Sequence, residues 1–87
     1  MTEKVRILVA EDESLIRLDI VETLTEAGYE VVADAGDGEE ALRLANEHEP
    51  DLAILDVKMP KMDGISVAEK LQEFSIPTVM LTSFSDT

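Results

Sequence analysis

The stretch AILDVKMPKMDG, residues Ala53–Gly64, places an aspartate at the end of an apolar run. The nearly continuous apolar character of Leu52 to Leu55 predicts a strand that is buried on both faces. Pro60 disfavours helical conformation at the residue before it, so the chain should stay irregular beyond the strand. Asp56 is therefore predicted at the end of a buried strand, at the start of an open loop.

Three further strands and three helices are predicted on either side of this stretch. The strands are Val5 to Ala10, Glu30 to Ala35 and Thr78 to Leu81, and the helices lie within residues 13–28, 37–50 and 63–77. Strands that alternate with helices indicate one parallel sheet with helices on both faces and right-handed crossovers. The sequence thus predicts a doubly wound α/β domain.

The helices are predicted from apolar residues at three- and four-residue spacing. In the first helix the predicted buried stripe consists of Leu15, Ile16, Leu18, Ile20 and Leu24, and in the third helix of Ile65, Ala68 and Leu71.

Two helix ends carry local signals. Gly28 predicts a left-handed exit from the first helix. Asp37, with Glu40 three residues later, resembles a capping arrangement at the start of the second helix.

Length and composition fit one small domain, residues 1–87. Hydrophobic residues make up 45% of the chain, which allows a single core, and there is no cysteine. A chain without cysteine suits a reducing cytoplasm. No apolar run is long enough for a membrane span, and the first residues lack a secretory pattern.

The charge of the chain is strongly negative. Twenty acidic residues against seven basic ones give a formal net charge of −13. Nucleic acids and anionic membranes repel such a chain, so direct binding to either is not expected. The charge suits a protein that binds a cation, although it also serves solubility alone.

Acidic residues follow two of the predicted strands. Glu11, Asp12 and Glu13 come after the first strand, and Asp56 ends the third. Strands of a parallel sheet end at one edge, so Glu11, Asp12 and Asp56 should converge if these strands are neighbours. Mg²⁺ fits such a group of oxygen ligands. The alternative is that Glu11 to Glu13 only stabilise the start of the first helix.

A hydroxyl follows the fourth strand. Thr82 is placed where it could donate a hydrogen bond to a phosphoryl oxygen on Asp56. Threonine is also common at strand ends for structural reasons, so this residue alone leaves both interpretations open.

Three motifs together resemble the receiver domain of bacterial two-component response regulators. They are ILVAEDE at 7–13, LAILDVKMPKMDG at 52–64 and PTVMLTS at 77–83. The resemblance covers essentially the whole chain. It implies a flavodoxin-like (CheY-like) doubly wound parallel sheet with strand order 2-1-3-4.

The resemblance also implies roles for individual residues. Asp56 would be the phosphoacceptor for a histidine kinase, and Thr82 would contact the phosphoryl group as the switch residue. Mg²⁺ would be held by Glu11, Asp12, Asp56 and the backbone carbonyl of Lys58. Such a domain is a phosphoacceptor with at most slow autodephosphorylation, and it is not expected to be an enzyme.

The residues of these motifs are similar to those of regulators that carry an ANTAR RNA-binding module. The resemblance implies an output by transcription antitermination, carried by a module that would follow the receiver.

The family pattern continues beyond LTSFSDT, the last residues of the sequence. A receiver has a fifth strand, a lysine near its end and further helices, all expected to be absent here. The fourth strand would then be an apolar edge, and such an edge recruits another chain. Self-association as a homodimer or larger species is therefore expected. In an alternative interpretation, the chain is a fragment that cannot signal and acts only as a self-associating module.

Two other functions compete with a phosphoacceptor role. A phosphohydrolase with an aspartyl nucleophile favours a general acid two positions after it, where this chain has Lys58. A binding or assembly module would use the acids only structurally, and replacing Asp56 would then leave its partner interactions unchanged. A flavin site is disfavoured because AEDES, after the first strand, would repel an anion.

Overall fold

A computed structural model of the protein describes residues 4–57 and 64–81, in which strands and helices alternate along the chain. The elements are β1 (Arg6–Ala10), α1 (Ser14–Glu26), β2 (Glu30–Ala35), α2 (Gly38–His48), β3 (Leu52–Asp56), α3 (Gly64–Glu73) and β4 (Thr78–Leu81).

The four strands form one sheet in the order β2-β1-β3-β4, and all neighbouring pairs are parallel. Ile54 in β3 pairs with Val9 in β1 on one side and with Val79 in β4 on the other. This arrangement confirms the predicted fold class and strand order. It places the carboxyl ends of β1 and β3 next to each other.

The main core lies between the sheet and helices α2 and α3. Helix α2 contributes two fully buried alanines, Ala41 and Ala45, and α3 contributes Val67 and Leu71. The small alanine side chains let α2 lie close to the sheet. The whole cluster consists of Leu8, Ala10, Ala35, Ala41, Ala45, Ala53, Leu55, Val67, Leu71 and Ile76.

The opposite face of the sheet is covered only in part. Helix α1 packs against β1 and β2. Along the row of paired residues that runs across β1, β3 and β4, side chains become more exposed with distance from α1. Val9 in β1 is fully buried, Ile54 in β3 is half-buried, and Val79 in β4 is 45% exposed. The apolar face of β3 and β4 therefore lacks a covering layer among the residues described.

The predicted stripe of α1 was wrong for three residues. Partial coverage of the sheet accounts for Ile16 and Leu18, whereas Leu15 lies on the opposite side of the helix from Leu24. Leu15 is 80% exposed, and Leu18 and Ile16 are about half exposed. Ile20 and Leu24 are half-buried, as part of the predicted stripe. The apolar arc of α1 is wider than the part of the sheet that the helix covers.

The predicted stripe of α3 was also wrong at one position. Ile65 is 58% exposed, and Val67 is fully buried instead. Leu71 is buried and Ala68 is half-buried, as predicted.

The predicted helix ends are confirmed. Gly28 has a φ of 100°, a left-handed conformation that glycine adopts without a Cβ penalty. Asp37 caps α2, because its carboxylate accepts a hydrogen bond from the backbone N–H of Glu40 at 2.8 Å. The Glu40 carboxylate reaches back to the backbone N–H of Gly36 at 3.1 Å. Within 4–57 and 64–81, no helix has the length and apolar character needed to cross a membrane.

Helix α3 begins in close contact with the end of β3. The N–H of Gly64 donates to the carbonyl of Val57 at 2.9 Å. A Cβ on Gly64 would press on the backbone carbonyl of Asp56 and would lie 3.0 Å from the terminal methyl carbon of Met80. Only glycine allows this approach.

We expect Gly64→Ala to destabilise the protein by about 1–3 kcal/mol, because the added methyl group forces α3 away from β3. Urea unfolding should show a lower midpoint with an unchanged slope. Glu69→Ala on the exposed surface of α3 is the control and should change stability by less than about 0.5 kcal/mol. Equal midpoints for Gly64→Ala and the wild type would contradict the close contact.

Candidate functional site

Three carboxylates meet at the carboxyl edge of the sheet. Glu11 and Asp12 follow β1, and Asp56 is the last residue of β3. Because Ala10 pairs with Leu55, the two strands end at the same level. Glu11, Asp12 and Asp56 each offer an oxygen atom, and these atoms lie within 4.8 Å of one another. The structure thus brings together the three acids that the sequence places at this edge.

The backbone of Glu11 is held from both sides. Its N–H donates to the carbonyl of Ala35 at 3.0 Å, and its carbonyl accepts from the guanidinium of Arg17 at 2.7 Å. The carboxylate of Glu11 accepts a hydrogen bond from the backbone N–H of Glu13 at 3.2 Å. These three bonds fix the direction of a side chain that is only 6% exposed.

The structure shows no side-chain capping hydrogen bond at Glu13, so a role of these acids in stabilising the start of α1 would rest on charge alone. Helix α1 begins at Ser14, and Glu13 occupies its N-cap position without a hydrogen bond from its side chain to the helix backbone. The carboxylate of Glu11 bonds to the Glu13 N–H, which lies just before the helix. Asp12, at the edge of the cluster, is exposed.

Asp56 is half-buried, so its solvent accessibility is intermediate between that of the buried Glu11 and that of the exposed Asp12. In β3 it pairs with Leu81 of β4, and the N–H of the next residue, Val57, donates to the carbonyl of Leu81 at 3.3 Å. The half-buried Asp56 carboxylate is therefore carried by a strand that is paired on both sides.

The closeness of the acids changes the ionisation of Glu11. Burial raises the pKa of the Glu11 carboxyl above its ordinary value, and the nearby Asp56 and Asp12 raise it further. The hydrogen bond from the Glu13 N–H acts in the opposite direction. The negative charge on Glu11 is thus costly when no cation lies beside it.

The chemistry of these ligands fits Mg²⁺. All three offer carboxylate oxygens, the hard ligands that Mg²⁺ prefers, and three carboxylates leave room for bound water. The separation of the oxygens is one that a single small cation bridges directly or through water. A cation at this point would offset both causes of the raised pKa of Glu11, its burial and the repulsion from Asp56 and Asp12.

Two predicted site residues, Lys58 and Thr82, lie outside the described residues. Sequence reasoning missed Arg17, whose guanidinium binds the carbonyl of Glu11 and pairs with Asp34 of β2 at 3.3 Å. One signal could have found it. Arg17 is the only basic residue between Arg6 and Arg43, and it stands within the apolar arc of α1.

Comparison with known proteins matches most of the chain to one family. The family described as "Response regulator receiver domain" matches residues 7–87. The transcriptional regulatory protein PdtaR of Mycobacterium tuberculosis is 57% identical over 81 residues, which cover 92% of this chain. The same alignment covers 40% of PdtaR, so this chain spans well under half the length of that curated relative.

Solved structures show the same fold. The signal receiver domain of the response regulator NarL from Mycobacterium tuberculosis superposes with a TM-score of 0.83 at 43% identity, covering 93% of this chain and 66% of that one. The response regulator domain of Thermotoga maritima CheB has a TM-score of 0.88 at 27% identity, covering 97% of this chain and 64% of that one. The chain therefore belongs to the family of response regulator receiver domains.

Proposed function

We propose that this receiver domain is a Mg²⁺-dependent phosphoacceptor and that Asp56 receives the phosphoryl group from a histidine kinase. The convergence of Glu11, Asp12 and Asp56, with oxygens within 4.8 Å of one another, carries the proposal. Asp56 is the member of this group that ends a paired strand and is half-buried, so its carboxylate is fixed but remains accessible.

Phosphoryl transfer to Asp56 exchanges one bond to phosphorus for another. A carboxylate oxygen of Asp56 forms the new bond to phosphorus while the bond from phosphorus to the donor, a histidine nitrogen, breaks in line with it. The electron pair of the broken bond returns to the nitrogen, which takes up a proton. The product is an acyl phosphate on Asp56 and a free histidine on the kinase.

Glu11, Asp12 and Asp56 would hold Mg²⁺ through their carboxylates, joined by the backbone carbonyl of Lys58. The ion supplies positive charge beside oxygens that gain negative charge during the transfer. Thr82 would donate a hydrogen bond to the phosphoryl group and thereby act as the switch residue. We propose that the domain is a substrate and a switch, with at most slow autodephosphorylation, and not an enzyme.

The proposed output is control of transcription, by an RNA-binding antitermination module that lies outside these residues. The likeness to a protein named a transcriptional regulatory protein supports this output. We propose that the phosphorylated domain acts on that module in the cytoplasm without binding nucleic acid itself, because the net charge of −13 opposes such binding.

We further propose that the domain self-associates through β4. Among the described residues β4 is an edge strand that pairs with β3, and Val79 on it is 45% exposed. An exposed apolar edge offers backbone groups and a hydrophobic surface to a second copy. A fragment that only self-associates and cannot accept phosphate is the alternative to a working switch.

Incubation with acetyl phosphate and Mg²⁺ should add one phosphoryl group to the protein, measured by intact mass. We expect the adduct to disappear in Asp56→Asn and in the presence of EDTA. Asp51→Asn makes the same chemical change just before the opposite end of β3 and should leave the adduct unchanged. An adduct that persists in Asp56→Asn, or an unmodified wild type, would contradict the phosphoacceptor role.

Glu11→Gln should weaken Mg²⁺ binding at least about tenfold, because it removes a ligand charge. The raised pKa of Glu11 also sets a pH dependence. The ion binds the deprotonated carboxylate, so the affinity of the wild type should fall as pH falls through that raised pKa. Isothermal titration calorimetry at several pH values measures both effects.

Although Glu11→Gln should weaken Mg²⁺ binding, it should stabilise the folded state of the metal-free protein. The folded state holds the Glu11 proton more tightly than the unfolded chain, so wild-type stability declines as pH rises from the ordinary carboxyl pKa through the raised folded value. Glu11→Gln, which keeps an oxygen for the Glu13 N–H, should remove this decline and be more stable than the wild type at neutral pH. Equal stability of Glu11→Gln and the wild type, without metal at neutral pH, would show that the charge on Glu11 does not destabilise the folded state.

Self-association should appear in sedimentation velocity at micromolar concentrations. Val79→Lys places a charge on the β4 edge and should shift the protein towards the monomer. Ile65→Lys makes a similar change at a position on α3 that is 58% exposed, and it should leave the association unchanged. A wild type that sediments as a monomer would rule out this mode of assembly.

A further inference from the structure

Arg17 joins three parts of the domain at one guanidinium group. From α1 it donates to the backbone carbonyl of Glu11, just after β1, at 2.7 Å. It also pairs through Nε with the carboxylate of Asp34 in β2 at 3.3 Å. Its side chain is 22% exposed, so both contacts are partly shielded from water.

The two contacts of Arg17 use different nitrogen atoms, NH1 for the Glu11 carbonyl and Nε for Asp34. A guanidinium offers several N–H donors in a rigid plane, whereas the ammonium of lysine is a single point at the end of a flexible stem. Lysine at this position would keep the positive charge but could not hold the Glu11 carbonyl and Asp34 in the same way. The geometry therefore requires arginine, beyond requiring a positive charge.

Gly36, just after β2, makes room for this guanidinium. A Cβ on Gly36 would lie 2.9 Å from the NH1 atom of Arg17, the atom that binds the Glu11 carbonyl. Gly36 does not have the positive φ found at Gly28, so alanine at Gly36 would displace the guanidinium without straining the backbone. This offers a way to disturb the contact without changing any charge.

The contact with Arg17 acts on the metal site through the backbone. The Glu11 N–H is held by Ala35 and its carbonyl by Arg17, so the peptide groups on both sides of the Glu11 side chain are fixed. With these bonds in place, the carboxylate stays beside Asp12 and Asp56 in spite of their mutual repulsion. Partners that orient a ligand in this way contribute strongly to metal affinity.

We propose that Arg17 is a positioning residue for the Mg²⁺ site, which holds the backbone of Glu11 so that the three carboxylates stay together before the ion binds. This inference rests on the proposed metal site and adds to it a residue that does not touch the ion.

The sign of the effect separates positioning from simple electrostatics. A positive charge near the acids opposes the binding of a cation, so its removal would tighten Mg²⁺ binding if charge alone mattered. Loss of positioning has the opposite effect. The direction of the change in Mg²⁺ affinity therefore identifies the role of Arg17.

Calorimetric titration with Mg²⁺ tests the inference on four variants. We expect the Kd to rise about tenfold in Arg17→Gln, to rise also in Arg17→Lys, and to rise by a smaller factor in Gly36→Ala. Arg43→Gln makes the same charge change on α2, where the arginine forms only exposed ion pairs with Glu40 and Glu47 among the described contacts. Its Kd should be unchanged or slightly lower.

Circular dichroism and thermal unfolding without metal show whether each variant is folded. A structural role alone would lower the melting temperature of Arg17→Gln but leave the Kd of the folded protein unchanged, and that result would overturn the inference. A Kd that falls in Arg17→Gln would overturn it as well. If Arg17→Gln does not fold, the Kd values of Arg17→Lys and Gly36→Ala test the inference instead. An unchanged Kd in both variants would overturn it. A wild type that does not bind Mg²⁺ would instead refute the metal site itself.

Discussion

Repulsion among three carboxylates at one edge of the sheet is the constraint on which the site depends. Parallel pairing of β1 and β3 brings Glu11, Asp12 and Asp56 together. Burial is the larger cause of the raised pKa of Glu11, and the repulsion from Asp56 and Asp12 adds to the cost of its charge. The chain offsets this cost with hydrogen bonds to the backbone around Glu11, which hold the acids in place. The proposed cation would offset the remaining part. Under the proposed function, this arrangement would favour cation binding at the expense of the stability of the metal-free protein.

The sequence was sufficient to predict where the acids meet. Alternating strands and helices predict a parallel sheet, and every strand of such a sheet ends at the same edge. Asp56 and the acids after β1 could therefore be placed at one edge, and the strand order implied by the family resemblance made β1 and β3 neighbours. The cap at Asp37 and the turn at Gly28 were predicted for a related reason, since each depends only on the backbone nearby.

The coverage of the sheet and the role of Arg17 could not be predicted in this way. Helical periodicity shows which side of a helix is apolar, but it does not show how much of the sheet that side will cover. Leu18 belongs to the apolar arc and is nevertheless exposed, because among the described elements α1 packs only on β1 and β2. Leu15 lies on the opposite side of the helix from Leu24 and is exposed for that reason. Arg17 interrupts the same arc. Its role depends on two contacts distant in sequence, with the backbone carbonyl of Glu11 and with the carboxylate of Asp34 in β2.

The missing side chain at Gly64 gives helix α3 and the peptide of Asp56 a direct backbone contact. Flexible side chains usually absorb small movements between neighbouring elements by changing rotamer, and no such buffer exists here. Displacement of the Asp56 carbonyl towards α3 would therefore press directly on the backbone of the first turn of the helix. The end of β3 and the start of α3 are thus in direct steric contact, and a side chain at position 64 would be felt at the acidic edge.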